Sequence, residues 1–159
     1  MRRLFTALIG IFVLNACAGT APAAPTPRQS DLAQAPTRVV LAGKSFALHA
    51  LLWRDFMPIS PPDGKPLVAV LQVRTEDGSE VPATVRADMV WVLNRADAWS
   101  TVPREERSRN ETAPVYELVA RDGPKWGPGI TVDVVIRLRD AGGPESLLRV
   151  ANRPIQGTF

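Results

Sequence analysis

Few side chains in this chain could do chemistry, and those few are scattered. It has one cysteine, Cys17, one histidine, His49, and beyond Met1 only Met57 and Met89 as thioethers. A hydrolase needs a nucleophile, a base and an orienting group in mutual reach. His49 lies in an apolar stretch, Phe46 to Trp53, and no G-x-S-x-G element is present. It therefore reads as a structural residue, and no catalytic residue is assigned. A hydrolase built on paired acids is kept as an alternative, because carboxylates that meet in space need not be close in sequence. Zinc sites draw on several Cys and His ligands, which this chain lacks. A copper(I) or small-ligand carrier is the other alternative, with His49, Met57 and Met89 as its weak candidate ligands. They lack Met-x-x-Met or His-x-Met spacing, so no metal site and no cofactor are expected.

The most distinctive loop sequence is Asp122-Gly-Pro-Lys-Trp-Gly-Pro-Gly129. Its glycines and prolines force a defined irregular loop. Lys125 and Trp126 at its apex are the candidate partner-binding residues, since tryptophan dominates interface hot spots. The competing expectation is that Trp126 folds back as core. Trp99 could join Trp126 in a stacking platform for a sugar, although nothing in the spacing demands it.

Cys17 has a more specific setting. Met1-Arg2-Arg3 is cationic, Leu4 to Leu14 is an apolar run of eleven residues, and Asn15-Ala16 is a small polar exit. That is the layout of a secretory signal peptide, and the run is too short for a membrane span, which needs about 20 residues. Leu14-Asn15-Ala16-Cys17 resembles the lipobox of bacterial lipoproteins. The resemblance implies cleavage before Cys17 and acylation of its thiol and new amino group, and so an anchor in the membrane. By the same resemblance, Ala18 after the cysteine points to the outer membrane, facing the periplasm, if the cell is Gram-negative. Asn15 departs from the usual small or β-branched residue at its place.

Export also changes the charge. The chain has 19 Lys+Arg against 16 Asp+Glu; without Arg2 and Arg3 the excess falls to a single positive charge. No basic face is implied, and no nucleic acid is expected as partner. With Cys17 acylated, the mature domain has no disulfide and rests on its core.

Three segments follow. Residues 1–16 are the signal peptide and 17–37 the lipidated cysteine with a flexible, disordered Pro/Ala-rich linker. If twenty such residues were fully extended they would reach roughly 60 Å. A short helix through Gln29–Ala35 is the alternative for part of the linker, and it would bury only Leu32. Residues 38–159 form one domain.

Short valine-rich segments fill that domain. In Ile130–Arg139, Ile130, Val132, Val134, Ile136 and Leu138 alternate with Thr131, Asp133, Arg137 and Arg139, the pattern of a half-buried antiparallel strand. Further strands are expected at Arg38–Leu41, Ser45–Phe56, Leu67–Thr75, Asp88–Asn94, Ala98–Val102, Val115–Arg121 and Ser146–Ala151, with a Pro-rich loop at Met57–Pro66. The expected fold is all-β, an immunoglobulin-like or fibronectin-like antiparallel β-sandwich. Segments such as "GPKWGPGITVDVVIRLRD" look like those of immunoglobulin-like domains in bacterial lipoproteins, which implies a fold but no activity. The functional expectation is a lipid-anchored, non-catalytic binding or assembly module. Its partner would be another envelope protein or a cell-wall polymer.

Overall fold

Strict alternation along Thr131–Arg139 does place Val132, Val134, Ile136 and Leu138 in the core, each at most 2% exposed. The computed structural model describes residues 26–106 and 114–159. The signal peptide, Cys17 and the first part of the linker lie outside the described residues.

Among the described residues the fold is all-β apart from one short helix. In chain order the elements are α1 (Gln29–Ala33), β1 (Val39–Leu41), β2 (Lys44–Asp55), β3 (Leu67–Thr75), β4 (Arg86–Asn94), β5 (Asp97–Thr101), β6 (Arg104–Glu105), β7 (Val115–Gly123), β8 (Thr131–Arg139) and β9 (Glu145–Thr158). Hydrogen bonding runs β5-β4-β8-β9-β2-β3-β7-β6, with β1 against β2. Every pairing is antiparallel except β2 with β9, where Leu52↔Ile155 to Asp55↔Thr158 run parallel.

β9 is what makes this one continuous curled path. Its first part pairs with β8 and its last four residues with β2. The change follows a bulge: Val132↔Arg153 gives way to Val134↔Val150, leaving one extra residue on β9. Asn152 there has φ 54°. The Asp133 carboxylate holds the bulge, accepting from the Asn152 amide at 2.8 Å and from Arg149 Nη1 at 2.8 Å. A bulge bends a strand and raises its twist, which here redirects β9 toward β2. Arg153 Nε donates to the Ala50 carbonyl at 2.9 Å, covering the β2 edge just before parallel pairing begins.

One core cluster joins Phe46, Leu48, Ala50 and Leu52 of β2 with Leu71 and Val73 of β3, Leu118 of β7, Val90 and Val92 of β4, Val134 and Ile136 of β8, and Leu148 of β9. A second, smaller cluster lies on the other face of β4 and β8, where Trp91, Leu93 and Val135 meet Leu32 and Ala35.

This second cluster corrects the linker expectation. Leu32 and Ala35 are 2% and 4% exposed, and the Pro36 carbonyl accepts from the Arg149 amide at 2.8 Å. The folded unit therefore starts near Gln29 and not at Arg38. Five residues cannot sustain a helix in water, so α1 owes its existence to docking on the strands. Two further differences concern strand extent. β9 runs on to Thr158, well past Ala151, and the short β6 (Arg104–Glu105) lies between the strands expected at Ala98–Val102 and Val115–Arg121.

Candidate functional site

β2 carries a charged residue in the wrong phase. Leu48, Ala50 and Leu52 point inward, and the same two-residue period places Arg54 inward too. Arg54 is 3% exposed. Burying a guanidinium is costly unless its donors are satisfied, and here main-chain carbonyls satisfy them. Nε donates to Lys65 O at 2.9 Å. Nη1 donates to Lys125 O at 3.0 Å and to Gly127 O at 2.9 Å, and Nη2 to Asp63 O. The guanidinium carbon also lies 4.9 Å from the Phe56 ring centroid.

These acceptors come from two loops. Asp63 and Lys65 belong to the β2–β3 loop, residues 56–66, and Lys125 and Gly127 to the β7–β8 loop, residues 124–130. Only a planar fork with five N–H donors can hold four carbonyls from two directions at once. Arg54 is thus the clamp of this end of the molecule.

Other contacts stiffen the same end. Lys125 Nζ pairs with Asp63 Oδ2 at 2.6 Å, tying loop to loop. Lys65 Nζ pairs with Asp55 Oδ2 at 2.6 Å, and Asp55 Oδ1 accepts from the Met57 amide at 2.9 Å. The hydrogen bond from Lys65 holds the Asp55 carboxyl below its ordinary range, and that from Lys125 does the same for Asp63. Phe56 stacks on Phe159 with centroids 5.3 Å apart. Gly64, at φ +73°, lies directly under Phe56, where a Cβ would come within 2.6 Å of the ring. Any side chain at Gly64 would push Phe56 off its seat.

Beside its exposed ion pairs this frame presents apolar side chains to solvent. Ile59 is 91% exposed, Phe159 82% and Met57 45%. Pro58, Pro61, Pro62 and Pro128 are exposed around them. The chain also enters the fold at this end. Gln29 Nε2 at the start of α1 donates to the Arg95 carbonyl in the β4–β5 turn at 2.9 Å. Arg95 in turn shares a surface hollow with Gly129 and Ile130 of the β7–β8 loop.

The candidate residues from sequence are distributed as follows. Lys125 is exposed, but its ammonium is committed to Asp63 and its carbonyl to Arg54. Trp126 is half-buried and packs against the main core, as does Trp99. The glycine- and proline-rich loop thus forms a corner around Trp126 and does not hold it out as a free apex. His49 is exposed in mid-strand on the outer side of β2, opposite Gln72. Partial desolvation, then Arg153 and Arg74, depress its pKa. Met57 lies in the loop beyond the end of β2, and Met89 packs against the Trp91 cluster. The structure does not bring His49, Met57 and Met89 to a common centre. Among the described residues no three His, Cys, Asp or Glu side chains group to hold a metal ion.

An open cavity of about 550 Å³ lies beside α1. Gln29, Ser30, Leu93, Arg95 and Asp133 line it, and Asp133 is occupied by Arg149 and Asn152. It supplies no free acid and base facing each other. Among the described residues no helix is long and apolar enough to cross a membrane.

The chain matches no protein-family model, no curated protein and no solved structure. This geometry is what speaks to function. Its central residue, Arg54, does carry a sequence signal: a cation in phase with Leu48, Ala50 and Leu52, followed by a proline-rich loop.

Proposed function

We propose that the protein is exported, acylated at Cys17 and held to the bacterial envelope, where its domain works by binding and not by catalysis. The observation that carries this reading is the Arg54 clamp. Four main-chain carbonyls are fixed by one buried guanidinium so that a small apolar surface, Met57 and Ile59 with Phe159, stands on a rigid base. A surface held in one conformation loses little entropy when it binds, the general advantage of preorganisation. Export and acylation rest on the cationic start, the short apolar run and Leu14-Asn15-Ala16-Cys17.

Within this reading the domain is an immunoglobulin-like β-sandwich. Support comes from the strand order. β2-β3-β7-β6 corresponds to the A-B-E-D arrangement of such domains and β4-β8-β9 to C-F-G, with β5 as an added edge strand beside C. Sheet architecture of this kind hosts many functions, so the binding role is argued from the loop end and not from the fold.

The test compares wild type with Cys17→Ser in cells, by membrane flotation and by crosslinking followed by capture. Wild type should float with membranes and crosslink to a defined envelope component, and the serine variant should lose both. Two proteins that are equally soluble and capture the same material would overturn the proposal.

A further inference from the structure

We infer that the loop end held by Arg54 docks on the lipid surface itself, with Ile59 and Met57 entering the interfacial region of the bilayer. The inference rests on the lipid-anchored reading above and names the partner of that surface.

The tether meets the domain at the clamped end. The notional reach of a linker ending at Thr37 shrinks once α1 and Pro36 are docked on β4, β8 and β9. Ala18–Arg28 is eleven residues, which would span roughly 34 Å in polyproline geometry and average about 18 Å as a coil. Gln29 is bonded to the Arg95 carbonyl, at the end that carries residues 56–66 and 124–130. The far end, with Gly43, Gly78 and Gly142, is separated from it by the length of β2. Twelve residues of strand cover about 40 Å. An anchor at Cys17 thus delivers the clamped end to the bilayer first.

The chemistry of that end points the same way. In residues 56–66 and 124–130 the charged side chains are Asp63, Lys65 and Lys125. Each is paired, Asp63 with Lys125 and Lys65 with Asp55. Arg54 is buried. The two loops therefore offer neutralised charge beside projecting Ile59 and Met57, with exposed prolines that need no amide partner, while the exposed Arg95 stands at the same end in the β4–β5 turn. An apolar tip of this size binds a membrane weakly when free, but a short tether raises its effective concentration at the surface. With the ion pairs closed, the attraction is apolar, so it should not require anionic lipid.

The experiment uses the full, acylated chain with Ile59→Cys, labelled with an environment-sensitive fluorophore; acylation blocks the Cys17 thiol. Ala141→Cys in the β8–β9 turn at the far end is the matched control. Both are reconstituted in phosphatidylcholine vesicles with and without brominated acyl chains. The label at position 59 should shift to the blue and be quenched several-fold more by bromine than the label at 141, in high salt as in low. Equal, water-like emission from both sites on protein that still floats would overturn the docking while leaving the anchor intact. Protein that fails to float would overturn the anchored reading and the docking with it. Quenching that disappears in high salt would show charge-driven contact and also overturn the inference.

Discussion

Arg54 on β2 and Gly127 in the β7–β8 loop are joined by a hydrogen bond of 2.9 Å from Nη1 to the carbonyl, across 73 positions of sequence. That bond is one of four through which a single side chain fixes two loops. Hydrogen bonds from charged donors contribute about 1.5–3 kcal/mol each, and the set is not additive because freed loops rehydrate. Arg54→Ala should therefore lower unfolding free energy by about 3 kcal/mol. Arg54→Lys should recover little of it, since an ammonium is a point donor and cannot span both loops. Chemical denaturation of the two variants measures this. Full stability in Arg54→Lys would show that charge, and not the fork, is what the loops need.

Leu32 tests whether α1 belongs to the domain. Its side chain is 2% exposed against Trp91, Leu93 and Val135. Leu32→Ala should cost about 2 kcal/mol, the low end for a buried leucine because the cluster is small and at the surface. Hydrogen exchange at Asp31 to Ala35 should rise more than exchange in the strands. A variant with unchanged exchange there would mean that the segment is held instead by the Ala35 and Pro36 carbonyls, which accept from Arg149.

Most strands were legible because their faces differ. β8 alternates valine and isoleucine with polar residues, and water on one side with core on the other enforces that pattern. α1 was legible only as the alternative to a linker, a helix over Gln29–Ala35 burying Leu32, since five residues carry no measurable period and its stability comes from Trp91 and Val135, which lie 59 and 103 positions downstream of Leu32 in the sequence. The continuation of β9 was hidden by Asn152 and Pro154. Both read as strand breakers, yet here they form the bulge and the passage from β8 to β2. Arg54 was visible in principle as an inward-phased cation. Its four acceptors were not, because main-chain carbonyls leave no mark on sequence.

Trp126 and Ile59 should separate cleanly. The tryptophan ring is half-buried against the core, so Trp126→Ala should cost about 2 kcal/mol, below the value for a fully buried ring. Ile59 is 91% exposed, and Ile59→Ser should change stability by less than about 0.5 kcal/mol. Thermal unfolding of both variants checks the contrast. A destabilised Ile59→Ser would show that the loop tip leans on the domain.

Gly123 closes β7 where the strand carries an extra residue, Leu67 pairing with Gly123 and Ala69 with Ala120. A Cβ at Gly123 would approach the Trp99 ring to 2.9 Å and Leu67 Cβ to 3.0 Å. Gly123→Ala should therefore cost about 1–3 kcal/mol by overpacking. The double variant Gly123→Ala with Trp99→Leu should regain part of that loss, as a steric cause requires. Equal costs with and without Trp99 would point to the backbone instead.

Asp77 gives the clearest pH dependence. In the turn after β3 its Oδ1 accepts from the Ser79 hydroxyl and from the Ser79 amide at 2.9 Å. These bonds, the hydroxyl first, lower its pKa from an ordinary 3.8 to about 2. Between those two values the unfolded chain binds the proton and the folded chain does not, so stability rises with pH across that interval. The contribution of Asp77 is complete above the unfolded value and is lost as pH falls through the folded one. Asp77→Asn cannot ionise and should lack this component, even though its amide oxygen can still accept a hydrogen bond. The difference in melting temperature between wild type and variant should widen from about pH 2 to about pH 5. Other depressed carboxyls, Asp55 and Asp63 among them, titrate equally in both proteins and cancel from the difference. A gap that stays constant over this range would mean that the Ser79 bonds do not distinguish the carboxylate from the acid.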